Sequence, residues 1–146
     1  MTTYQVYHST LFSYCNDVAK MRQFYVDLLG LNETYYDADK GWLTCDSGQL
    51  NLVFIRANTP ITEHRAWAKQ PGYKDGTLEV PSWVITVPHD KFDQIVETAT
   101  HSDSMIPCYQ DTPSEPRPGH HSFWVRDPMG VTVEIYATSP DVSTTE

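Results

Sequence analysis

Basic residues are scarce. Ten Lys and Arg stand against nineteen Asp and Glu, a formal charge of −9. With no clustered basic face, a nucleic-acid partner is excluded, and the excess of acid chiefly promotes solubility. Cysteine is also sparse. Cys15, Cys45 and Cys108 are odd in number, far apart and free of any CxxC pair. That pattern excludes a disulfide framework and a zinc knuckle, and the expectation is reduced, mostly buried thiols. No long apolar run occurs, and the start MTTYQVYH has no basic stretch. The sequence therefore predicts neither a secretory signal nor a membrane span, and a cytoplasmic location is expected. A Ser-His-Asp constellation, a phosphate loop and a dinucleotide fingerprint are all missing.

What is present fits a single compact unit. The 146 residues are 40% hydrophobic, 12% aromatic and 20% charged, within the range of ordinary soluble proteins and long enough for one real core. Residues 4–14 alternate as a strand. Asn16 or Asp17 can cap a helix whose Val18, Met21, Phe24, Tyr25 and Leu28 recur at three- and four-residue steps, ending at Gly30. Strands are predicted near residues 31–36, 41–46 and 49–55. Residues 57–81, with their prolines and glycines, read as a crossover holding a short helix near 62–69. A strand at 82–87 and a helix from Pro88 carrying Phe92, Ile95, Val96 and Ala99 follow. A strand at 105–109, a proline-rich loop at 110–119 and the stretch FWVRDPMGVTVEIY, Phe123 to Tyr136, complete the chain before a polar tail. In that stretch Asp127, Pro128 and Gly130 mark a tight turn. Val131, Val133 and Ile135 alternate with Thr132, Glu134 and Tyr136, leaving one carboxylate on the polar face.

The element order repeats after about 60 residues. CDSGQLNLVF, Cys45 to Phe54, echoes RDPMGVTVEIY, Arg126 to Tyr136. The repeat predicts two similar half-sheets, one module at about 4–56 and another at about 82–137, facing each other across a ligand groove.

Two motifs then resemble the vicinal oxygen chelate superfamily of glyoxalases, extradiol dioxygenases, fosfomycin-inactivating transferases and bleomycin-resistance proteins. Asp17 with FYVDLLGL, Phe24 to Leu31, is similar to that family's first helix and its exit, and DPMGVTVEIY to its DPxGxxxE ending. The resemblance implies an α+β fold of two paired βαβββ modules whose curved mixed sheet encloses a groove, and homodimers are common among such proteins. It also implies one divalent metal ion held by a side chain from the first and fourth strands of each module. Glu134 matches the last ligand. The first falls at His8 or Thr10 according to register, the fourth-strand position at Asn51 or Leu52, and the fifth-strand position at Ser82. These supply few strong donors for a divalent ion.

The resulting expectation is a glyoxalase/bleomycin resistance/dioxygenase-like protein that binds a small organic molecule, its metal site degenerate or absent. The alternative is a divalent-metal-dependent lyase or dioxygenase using His8 and Glu134. Glu134 reads as ligand or general base, or else as a carboxylate satisfied by hydroxyl neighbours. Thr10, Asn51, Ser82 and His121 are candidate substrate contacts. Trp67 and Gln70, near Arg65 and Tyr73, would either lid the groove or anchor the crossover to the core. Trp83 and Trp124 are expected in the core on the helix-facing side, and Trp42 and Phe54 are candidates for lining the cavity.

Overall fold

A computed structural model describes residues 3, 5–69, 76–101, 106–108 and 120–138. Gln70, Tyr73, Met105, Tyr109, the loop at 110–119 and the tail at 139–146 lie outside the described residues. The chain divides into two compact units, Met1–Ile61 and Thr62–Glu146. Among the described residues no helix is long and apolar enough to cross a membrane.

In the first unit β1 (Ser9–Cys15) leads into α1 (Val18–Arg22) and then β2 (Asn32–Asp37), β3 (Trp42–Asp46) and β4 (Leu50–Arg56). The sheet order is β1-β4-β3-β2, with β1 parallel to β4 and the other pairs antiparallel. Asp17 starts α1 as its sequence position suggests: the carboxylate accepts the N–H groups of Ala19 at 2.9 Å and Lys20 at 3.1 Å. The expected continuous α-helix does not form. From Gln23 to Leu28 the chain widens into a π-helix, with the Leu29 N–H donating to the Phe24 carbonyl five residues back. Both Phe24 and Tyr25 are fully buried despite being adjacent, their rings edge-on at 4.7 Å, and Tyr25 stacks on Phe54 at 4.7 Å. Phe54 therefore belongs to the core and not to a cavity wall. With Cys15, Leu43, Cys45 and Leu52 it forms the sheet face beneath the helix, each large apolar side chain contributing about 1.5–3 kcal/mol.

The second unit repeats the order with β5 (Ser82–Thr86), α2 (His89–Thr100), β6 (Ile106–Cys108), β7 (His120–Arg126) and β8 (Thr132–Thr138), sheet order β5-β8-β7-β6. Val125, Val133, Ile135 and Ala137 are buried on one face, and Phe92, Ile95 and Ala99 are the buried side of α2. The helix expected near residues 62–69 is absent; the segment is irregular, with one parallel bridge from Ala68 to Thr77.

Candidate functional site

The polar face of the second sheet is set by the turn between β7 and β8. The Asp127 carboxylate, buried, accepts the N–H groups of Met129 at 2.8 Å and Val131 at 3.0 Å, and the Gly130 N–H closes back on the Asp127 carbonyl at 2.8 Å. Gly130 takes φ 78°, a conformation that costs glycine little. A turn held this tightly leaves one register, in which Arg126 faces Thr132, Trp124 faces Glu134 and Ser122 faces Tyr136. On the other side β5 sets Ser82 against Thr132 and Val84 against Glu134. Directly opposed residues share a face, so Glu134 lies between Trp124 and Val84. The Ser122 hydroxyl donates to the Glu134 carboxylate at 2.9 Å, and Glu134 is half-buried. A carboxylate held by one hydroxyl on a partly apolar surface retains lone pairs for a ligand.

The crossover straps the turn end of this face. The His64 N–H donates to the Met129 carbonyl at 2.9 Å, and the Ala68 N–H donates to the Thr132 hydroxyl at 2.8 Å within buried surroundings. Trp67 packs on the buried Trp124, and the Arg126 guanidinium lies over the Trp67 ring at 5.0 Å while donating to the Arg65 carbonyl. Of the two readings for Trp67, these contacts are those of an anchor. Trp124 is buried as expected, but on Glu134's face and not on the helix-facing side, because it sits opposite Glu134 in the ladder.

The other candidates separate. His121 is on the helix side of β7, its ring 5.3 Å from His89 and 5.5 Å from Phe92, so it cannot serve the face that carries Glu134. Ser82 is exposed and borders Thr132. In the first unit His8 is exposed just ahead of β1, and Thr10, also exposed, pairs with Asn51. Asn51 shares Thr10's face, whereas Leu52 points into the core. Counting outward from the two hairpin turns, Asp46 and Asn51 correspond to Arg126 and Thr132, which makes Thr10 the counterpart of Ser82 and Val53 the counterpart of Glu134. Valine has no donor for a metal. Among the described residues no three His, Cys, Asp or Glu side chains group so as to hold an ion, and hydroxyls and an amide do not replace them. The described residues at these positions do not fit a divalent ion. Sequence reasoning passed over Ser122 and Arg126, although counting back from the Asp127–Gly130 turn would have put both on Glu134's face.

No protein-family model matches the sequence, and no curated protein matches it. Solved structures do. The fosfomycin resistance protein FosX of Mesorhizobium loti aligns at TM-score 0.60 and 12% identity, over 96% of this chain and 97% of that one. A glyoxalase/dioxygenase from Nostoc punctiforme aligns at TM-score 0.60 and 15% identity, over 92% and 90%. A lactoylglutathione lyase from Agrobacterium tumefaciens aligns at TM-score 0.54 and 18% identity, over 93% and 95%. The chain has the vicinal oxygen chelate fold. In that fold's terms, each unit supplies one βαβββ module, and Glu134 stands on the last strand of the second. At these identities the likeness is one of fold, so the chemistry must be argued from the residues.

Proposed function

We propose that this protein binds a small organic molecule on the polar face of the second module, with Glu134 as the group that engages it. The observation that carries the reading is the Ser122–Glu134 pair at 2.9 Å beside Trp124 and the exposed Val84. An oriented carboxylate next to apolar surface is the combination a small-molecule site uses to fix one polar end of its ligand. Ser82 borders the same face, and Trp67 supports it from the crossover through Trp124. The relatives in fold are named as glyoxalase, dioxygenase and fosfomycin-resistance proteins, which sets fosfomycin and lactoylglutathione among the first compounds to try. A second reading, proton transfer at Glu134 without a metal, is favoured by the same Ser122 contact, which holds the carboxylate in one orientation. The lyase or dioxygenase reading through His8 and Glu134 is not carried forward, because the donor set does not suit the ion.

A thermal-shift screen of fosfomycin, lactoylglutathione, bleomycin and a fragment library tests the site. At least one compound should raise the unfolding midpoint of the wild type and leave Glu134→Gln unmoved. If every hit shifts both proteins equally, ligand binding does not run through Glu134.

A further inference from the structure

In the second unit α2 and β7 meet through two imidazoles that the Glu134 reading does not use. His89 opens α2 and His121 lies near the start of β7, their ring centroids 5.3 Å apart and their planes inclined at 52°. Packing holds the pair. Phe92, three residues past His89 and so on the same side of the helix, is buried and lies 5.5 Å from the His121 ring. Both histidines are exposed, and beside His121 on β8 stands Ala137, too short to cover it. The contacts of the two rings among the described residues are these aromatic ones, with no hydrogen bond or ion pair. Each neutral imidazole therefore keeps a nitrogen lone pair for an incoming ion.

The spacing selects a coordination geometry. Metal–nitrogen bonds of about 2.0–2.1 Å, directed along each ring, set two imidazole centroids about 5.2 Å apart at a tetrahedral angle and about 4.5 Å apart at a right angle. The observed 5.3 Å fits the tetrahedral case. Charge around the pair favours a cation. Asp90 sits in the first turn of α2 and offsets the positive end of the helix, while Lys91, the one basic residue of α2, is two positions past His89 and so on the far side. Arg126, the one Lys or Arg of β7, lies at the opposite end of that strand and on the face that carries Glu134. No third His, Cys, Asp or Glu joins the pair among the described residues, which leaves two positions of a tetrahedron for water. We propose that His89 and His121 form a two-histidine site for zinc, an ion that imidazole suits and that takes four ligands tetrahedrally, on the helix side of the second module and apart from Glu134.

Zinc chloride titrated into the full chain and followed by isothermal titration calorimetry is the test. One ion per chain should bind in the micromolar range, and His89→Ala and His121→Phe should each weaken it by about tenfold or more. Phenylalanine keeps an aromatic ring against Phe92, and circular dichroism checks that both variants are folded. Because the ion would tie α2 to β7, zinc should also raise the unfolding midpoint of the wild type and leave that of His121→Phe unmoved. Magnesium, which prefers oxygen ligands, should give no binding heat. Equal affinity for the two ions, or a zinc affinity untouched by both histidine substitutions, overturns the proposal. So does a zinc affinity abolished by Glu134→Gln, which would put the ion on the other face of the sheet.

Discussion

Gly130 answers two demands, of which Gly48 shares only the first. Both sit in hairpin turns with positive φ, 78° and 92°, where any side chain is strained. Around Gly48 the space is open, but a Cβ on Gly130 would fall 1.9 Å from the His64 carbonyl oxygen, part of the strap's backbone. Alanine at Gly48 should therefore cost about 1 kcal/mol and alanine at Gly130 at least about twice that in urea unfolding, since backbone has to move. Equal costs would mean that the strap does not approach the turn as described. The sequence marks both glycines as turn residues; nothing in it shows that a segment some 65 positions away closes over one of them. The same holds for Ser122, whose role depends on which residue the turn register sets beside it.

Among the elements, the crossover departs furthest from expectation, and its composition explains why. Residues 62–69 read as a short helix within an irregular crossover, yet Trp67 and the backbone of Ala68 are engaged by Trp124 and Thr132 instead of by local turns. Thr132 is 1% exposed, so its hydroxyl accepts the Ala68 N–H away from water. Thr132→Val keeps the volume and removes the acceptor, leaving a buried N–H unmet. The expected loss is about 1–3 kcal/mol, with amide exchange at Ala68 quickened. Lost stability with unchanged protection at Ala68 would show that the strap does not depend on the Ala68–Thr132 hydrogen bond. The first helix tells the opposite story. Its cap and apolar positions were legible, but its π-helical second half was not, because periodicity reports which residues point inward and not how wide the turn must be to bury two adjacent rings.

For the whole molecule, the thiols set a limit on alkaline stability. Burial first, and then the nearby carboxylates of Asp46 and Glu33, push the Cys45 thiol up from 9.0 to about 12. Between those values the unfolded chain loses the proton and the folded chain keeps it, so stability declines as pH rises from about 9 toward 12. Unfolding midpoints at about pH 8 and about pH 11 should differ more for the wild type than for Cys45→Ala; an identical drop in both would assign it to other groups. Cys15 and Cys45 are both buried, as cysteine count and spacing suggested. By itself the sequence determined the strand and helix order of the two modules and the two hairpin turns, because alternation, capping and turn chemistry act over a few residues, while the α+β class came with the family resemblance. Only the tertiary structure decided which side chains share Glu134's face, that Trp67 packs on Trp124, that His121 looks toward α2, and that valine takes the register position in the first module that Glu134 takes in the second. Those outcomes depend on strand register and on contacts between distant segments, and a shift of one residue would turn every side chain of a strand to the other face.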